Sequence, residues 1–258
     1  MNTINTMVEW SEHAQRIIGS IASSQSEQIE KAAEAAANSI GLGHAVFLFG
    51  SGHSVMPVEE MFPRYGGLLG FLPVLELPLS FFTAVTGNMG FAQFDFLENS
   101  PEYGNRIISN YEIHSDDSMI VFTHSGSTPV TMEVALKFRE RGGGKLIGVT
   151  SLKRSRNSRS KHPSGKAIHD IADIIIDTGV PEADVSIDIS GVHCGPLSSI
   201  GALAVANMIS IGTIGNLQKR GAKPAVNPVR AFDPDADRKM EDILAGYRHL
   251  YSSHIRRK

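Results

Sequence analysis

Two short segments concentrate groups suited to holding an anion. The first reads Gly50-Ser51-Gly52-His53-Ser54. Its glycines let the backbone turn tightly and approach a ligand closely, and Ser54 adds a hydroxyl donor. The second reads Thr123-His124-Ser125-Gly126-Ser127-Thr128, with four hydroxyls around one glycine. A phosphate monoester takes such groups: many short donors and little bulk. Helix capping by Ser127 or Thr128 accounts for one of these hydroxyls, not for four. The first segment has two other readings. One is a tight turn without a ligand. The other is a dinucleotide fingerprint in which Val55 replaces the third glycine and Glu76 supplies the ribose-binding acid. A dinucleotide site has no evident use for the second segment.

Such loops act only where rigid elements hold them. Residues 45–49, 73–77, 119–122, 146–149 and 174–176 are short apolar runs, the pattern of strands buried on both faces. Helical spacing runs from residue 1 to about residue 39, through Glu59 and Glu60, from 102 to 111 and from 130 to 141. Gly142, Gly143 and Gly144 stop the last of these. The alternation implies an α/β fold, a five-stranded parallel doubly wound sheet flanked by helices. In such sheets ligands sit at the carboxyl ends of the strands. Both hydroxyl segments fall there, as does Val149-Thr150-Ser151. Residues 80–99 read as a loop over the site, and 153–166 as a polar, basic loop. The expected division is an N-terminal helical segment (1–40), a central domain (41–221) and a C-terminal tail with a helix (222–258).

Bulk properties exclude several classes. The chain has 258 residues, 41% hydrophobic and 20% charged, an ordinary globular composition. A net charge of -3 gives no global pull toward nucleic acid or an anionic membrane. The single cysteine, Cys194, forms no internal disulfide and fits a reducing, cytoplasmic compartment. The first ten residues lack a basic region followed by an apolar run, so no secretory signal is expected. Residues 195–218 carry no charge and are long enough to span a bilayer. Glycine, serine and asparagine dilute them, and the expectation is a buried helix with small residues at helix contacts.

Taken together, the segments after the first, third and fourth strands make the chain resemble the SIS, or sugar isomerase, domain family. The likeness covers about residues 42–217. The family's second motif usually carries serine where Thr123 stands here, and the hydroxyl is kept. The resemblance implies a five-stranded parallel α/β fold that binds a phosphorylated sugar. It places Ser54, Thr123, Ser125 and Thr128 on the phosphate, with Gly52, His53, His124, Ser127 and Ser151 around them.

Within that family the chain looks nearest to phosphoheptose isomerases. Glu59-Glu60-Met61-Phe62-Pro63-Arg64 resembles their glutamate-glutamate-arginine segment, in which the second glutamate is the base. That implies Glu60, with Glu59 in reserve. The spacing from Ser54 is shorter than in those enzymes by about four residues, close to one helical turn. The alternative for both carboxylates is a solvated helix face, with Arg64 pairing to Glu60 at i+4. His193, before the long apolar helix, matches a histidine used there for ring opening or proton return. A carboxylate base suits the chemistry, because moving a sugar carbonyl needs a proton taken from the adjacent carbon. No organic cofactor is expected. Nor is a metal: His53, His124, His193 and Cys194 lack the usual ligand spacing. The expected ligand is a phosphorylated sugar, with no nucleic acid and no membrane. The resemblance implies a homodimer or homotetramer with sites near the subunit interface, and the tail is expected to pack on a neighbouring subunit. The readings are an aldose–ketose isomerase, a non-catalytic phosphosugar-sensing regulator, or a lyase or deaminase on an amino-sugar phosphate.

Overall fold

The computed structural model describes residues 3–62, 64–81 and 90–256. Its central strands are β1 (Val46–Phe49), β2 (Phe71–Pro73), β3 (Ser118–Phe122), β4 (Leu146–Thr150) and β5 (Ile174–Asp177). They form one parallel sheet in the order β2-β1-β3-β4-β5. Successive side chains of a strand point to opposite faces. In β1, Val46 and Leu48 join one core, while Phe47 and Phe49 join the other. In β3, Ile120 and Phe122 face the first core, and Met119 and Val121 the second. Two buried faces explain why the strands read as unbroken apolar runs.

Two long N-terminal helices, α1 (Thr3–Ser24) and α2 (Ser26–Gly41), lie on the first face. Their boundary has a local cause. The hydroxyls of Ser23 and Ser24 bond back to the carbonyls of Gly19 and Ser20, competing with the helix ladder. Helix α3 (Met56–Met61) follows β1, and α4 (Leu77–Ser80), α5 (Gly90–Glu98) and α6 (Pro101–Ile108) follow β2. Helix α7 (Pro129–Glu140) joins β3 to β4, and α8 (Leu152–Asn157) and α9 (Ile168–Ile171) lead to β5. The second face packs on α6 and α7 through Ile107, Ile108, Val130, Val134, Ala135 and Phe138. Each fully buried aromatic or aliphatic side chain there contributes about 1.5–3 kcal/mol.

Helix α10 (Ser198–Lys219) is the uncharged segment of the sequence up to its last residue. It is long and apolar enough to cross a membrane by length and composition. In the folded chain Val205, Ala206, Ile209 and Leu217 enter the first core, beside Ala32, Ala36 and Ala37 of α2. Gly212 makes the contact close: a Cβ there would lie 2.8 Å from that of Ala33. The opposite side is open, with Ile211 69% exposed.

Several expectations change. The second strand ends at Pro73 instead of starting there; one further ladder bond, from the Val74 amide to the Leu48 carbonyl at 2.8 Å, closes it, and Pro73 is tolerated because β2 is an edge strand. Residues 153–166 are not all loop, since α8 is held by Ser151 at its N-cap. Within 80–99, residues 90–98 are helix, and 82–89 lie outside the described residues. Before α10 stands an unexpected hairpin of β6 (Val185–Ile189) and β7 (Val192–Pro196). Ser190 and Gly191 turn it, both at positive φ, 52° and 89°, the geometry of a two-residue hairpin loop. The tail helix α11 (Ala236–His254) packs on its own chain. Ile243, Tyr247 and Leu250 are buried, and the Tyr247 hydroxyl donates to the Leu68 carbonyl at 3.1 Å. It thereby covers the β2 edge of the sheet, and the expected docking on a neighbour is not needed to bury its apolar stripe.

Candidate functional site

Strand order fixes where a ligand can enter. The chain crosses from β1 to β2 on one side and to β3 on the other, opening a crevice between the β1 and β3 carboxyl ends. The two hydroxyl segments lie there. Glycine is required in both. A Cβ at Gly50 would lie 2.1 Å from the Ser54 carbonyl oxygen. Gly126 sits at φ +68°, and a Cβ there would lie 2.1 Å from the Ser155 hydroxyl. The loops are therefore pinned from behind, which aims their polar groups outward.

His53, Ser54, Thr123 and His124 line one narrow crevice of about 20 Å³. Thr150, Thr178, Ser198 and Ser199 complete its polar wall. The space is that of about one water molecule, so the loops stand closed around it. Two buried polar atoms at this crevice have no hydrogen-bond partner, Nδ1 of His124 and Oγ1 of Thr178. A buried polar group without a partner is destabilising by about 1–3 kcal/mol.

The remaining hydroxyls divide. Ser125 Oγ lies 3.2 Å from Thr128 Oγ1 and accepts from the Ser127 amide at 3.4 Å. Thr123 Oγ1 accepts from the Gly126 amide at 3.2 Å. Thr128 stands at the N-cap of α7, yet its side chain makes no cap hydrogen bond. The first amides of this twelve-residue helix thus face the loop with the positive end of its dipole. Ser151 is engaged elsewhere. Its hydroxyl donates to the Val180 carbonyl at 2.8 Å and accepts from the Arg154 amide at 3.4 Å.

Glu60 and His193 do not meet this crevice. Glu60 lies in two neighbouring clefts along α10, bonded to Arg64 Nη1 and to Asn207 Nδ2 at 3.2 Å. Ala206 lines one of these clefts and Ala202 lines the crevice. They are one turn apart on the same face of α10, an axial step of about 6 Å. Glu59 is exposed and lines one of the same two clefts as Glu60. His193 is exposed on the hairpin, its Nδ1 3.6 Å from Asp188 Oδ2. Cys194 beside it is a half-buried free thiol. Glu76, the acid of the dinucleotide reading, accepts a hydrogen bond from the Tyr103 hydroxyl at 3.0 Å.

Four groups were not anticipated from the sequence. Thr178 follows β5, and Ser198 and Ser199 open α10. Glu98 ends α5, and its Oε1 accepts the Ser51 hydroxyl of the first loop at 2.6 Å. Burial pushes its carboxyl above the usual carboxylate range, against the pull of the Ser51 hydrogen bond. The signal for it was absent, because residues 80–99 carried no recognisable period.

Comparisons with known proteins agree with this layout. Among solved structures, the chain superposes on a phosphoheptose isomerase from Francisella tularensis with TM-score 0.53 and 15% identity, covering 83% of this chain and 100% of that one. A Bacteroides fragilis protein described as a putative phosphosugar isomerase involved in capsule formation gives TM-score 0.52 at 16% identity, covering 84% and 92%. At such identities the likeness is one of fold. In sequence, a UPF0309 protein of Listeria innocua is 35% identical over 169 residues, which span 66% of this chain and 66% of that protein's own length. A UPF0309 protein of Caldanaerobacter subterraneus is 30% identical over 214 residues, 81% of this chain and 84% of that one. The SIS domain profile matches residues 9–151, more than half of the chain, from within α1 to the end of β4 and including both hydroxyl loops. With its sheet order, its loops and this match in agreement, the chain belongs to the SIS domain family.

Proposed function

We propose that the protein binds the phosphate of a phosphorylated sugar at the β1 and β3 loops and isomerises the sugar between aldose and ketose forms. One observation carries the binding half. The crevice is walled by hydroxyls and keeps two buried polar atoms, His124 Nδ1 and Thr178 Oγ1, without partners. Small donors around a helix N-terminus suit a dianionic phosphate and offer little to an uncharged sugar.

The isomerase half rests on Glu60. A phosphate in the crevice would direct the sugar carbons along α10 toward the Glu60 cleft, about one helical turn away. Anchoring the phosphate there orients the reacting carbons. His193, far out on the hairpin, would need a second copy of the chain to bring it to that cleft. The open face of α10, with Ile211 exposed, is the surface such a homodimer or homotetramer would use.

A second reading has its own observation. Glu60 is already paired with Arg64 and Asn207 and is absent from the crevice. A non-catalytic phosphosugar-sensing regulator would tolerate that arrangement. Glu60→Gln separates the two. For an isomerase, turnover falls by about 10³-fold while sugar-phosphate affinity stays within about twofold. Unchanged turnover, or an equal loss of turnover and affinity, would overturn the assignment of Glu60. Binding without turnover of any aldose or ketose phosphate by the unaltered protein would favour the regulator.

A further inference from the structure

The opposite end of the sheet gathers a second cluster. Asp117 precedes β3, His44 precedes β1 and His254 ends α11. Asp117 is fully buried and the His254 side chain is 3% exposed, while that of His44 is 28% exposed. Oδ1 of Asp117 lies 3.1 Å from His254 Nε2 and 3.3 Å from His44 Nδ1. All three ligand atoms lie within 4.8 Å of one another. We propose that His44, Asp117 and His254 form a binding site for a divalent transition metal of the zinc class.

The donor set and spacing fit. Imidazole nitrogen and carboxylate oxygen suit zinc at about 2.0–2.2 Å, which places neighbouring ligand atoms roughly 3.3–3.6 Å apart around a tetrahedral ion. The surroundings are those of ligands held in position. Nδ1 of His254 faces the Leu250 carbonyl at 2.8 Å, with Ser253 Oγ at 3.0 Å. Donation to that carbonyl fixes the ring and leaves Nε2 as a lone pair aimed at Asp117. The second oxygen of Asp117 accepts the His114 amide at 2.7 Å. His44 Nε2 lies 3.9 Å from Asp116 Oδ2 on its outer side.

Hydrogen bonding alone does not account for the cluster. Oδ1 of Asp117 already accepts the Ala45 amide at 2.9 Å, yet two imidazole nitrogens also converge on it. A carbonyl-type oxygen has two lone pairs, not three. A proton on His254 serves that one contact and leaves His44 unserved, whereas a single cation serves all three. His114, whose ring stands 5.6 Å from that of His44 and 5.4 Å from that of His254, closes the cluster on the solvent side. The ion would tie the starts of β1 and β3 to the end of α11, and the half-exposed His44 gives it an entry path.

The test uses the full chain, stripped with chelator and then titrated with Zn²⁺. Retained metal is measured by elemental analysis after gel filtration, and the melting temperature is followed in parallel. The site requires about one zinc per chain and a melting temperature that rises and saturates with zinc. His44→Ala is the decisive variant, since this half-exposed ring can be removed without opening the core. It should lose at least about tenfold in zinc affinity and lose the zinc-dependent rise. His13→Ala, on exposed α1, should retain both. Failure of the unaltered chain to hold zinc would overturn the proposal. So would retention by His44→Ala equal to that of the unaltered chain, which would place the metal on other histidines.

Discussion

The two ends of the sheet are built from the same backbone and present opposite chemistry. At the carboxyl end, hydroxyl side chains line a crevice, and two buried polar atoms there lack partners. At the amino end, carboxylates close the structure. Asp117 accepts the Ala45 and His114 amides, and Asp173 accepts the Leu146 amide at 2.8 Å while pairing with Arg139 at 2.7 Å. Donors gather where, by the proposed function, an anion binds. Acceptors gather where strands begin and, by the proposal above, where a cation sits. The carboxyl end holds two buried polar atoms without partners, and at the amino end the Asp117 and Asp173 carboxylates tie down backbone amides. A side chain deleted at one end should therefore affect binding, and at the other folding.

The largest effect is expected at the amino end. In Asp117→Asn, one of the two backbone N–H groups that Asp117 now accepts, the buried one of Ala45 or the part-buried one of His114, would face an amide NH₂ instead of an oxygen, whichever way the side chain turned. The loss should be about 2–3 kcal/mol, a fall in melting temperature of roughly 4–12 °C for a chain of this size. A fall below about 1 °C would break the comparison.

Thr178→Val tests the other end. Its hydroxyl is buried without a partner, so an isosteric apolar replacement removes a polar group that contributes nothing to the fold. The melting temperature should hold or rise slightly, while sugar-phosphate affinity falls by about fivefold to tenfold, the value of one hydrogen bond. Titration calorimetry and thermal unfolding of the same preparation read both quantities. Destabilisation with unchanged affinity would reverse the assignment of the two ends.

The smallest effect is a pH dependence at Glu98. Burial raises its carboxyl above the usual range, against Ser51 and Lys161, with Asp95 adding to the rise. A carboxyl whose folded pKa is raised binds its proton more tightly in the folded chain. That contribution is complete at acidic pH and is lost as pH rises through the raised value. Glu98→Gln, neutral throughout, should melt higher than the unaltered protein at pH 7.5. The gap should narrow as the pH falls toward the ordinary carboxylate range near pH 4. A gap that does not change with pH would remove Glu98 from this role.

The parts of the fold that were readable in the sequence were those whose cause is local. Residues 46–49 and 118–122 are apolar at every position because both faces are buried, and a continuous apolar run is visible without knowing the partners. The tail helix showed its apolar period in the same way, and α10 showed as a long uncharged stretch with small residues. Misplaced β2 shows the limit: its apolar run continues past Pro73, and where the strand lies is set by its register with β1, Val46 to Leu48 against Phe71 to Pro73, which the run itself does not reveal. The hairpin had a signal in Ser190-Gly191, but Gly195 and Pro196 masked the alternation after it. His53, Ser54, Thr123 and His124, which line one crevice, could be grouped from the sequence because they are neighbours in two short turns. Thr178, the pair Ser198 and Ser199, and Glu98 lie apart from those turns along the chain and reach the loops only through the tertiary fold. The same holds for His44, Asp117 and His254, whose convergence spans nearly the whole sequence.

The central claim, that the β1 and β3 loops hold the phosphate of a sugar, is tested most directly by titrating the full chain with a panel of sugar phosphates. The matching unphosphorylated sugars and nicotinamide dinucleotides are run beside them, with binding heat and melting temperature read together. A ligand that binds only the folded chain raises the melting temperature by mass action. The account expects one or a few sugar phosphates to bind and stabilise, and the free sugars and dinucleotides to do neither. Binding of the free sugars as tight as that of their phosphates, or of dinucleotides alone, would contradict it.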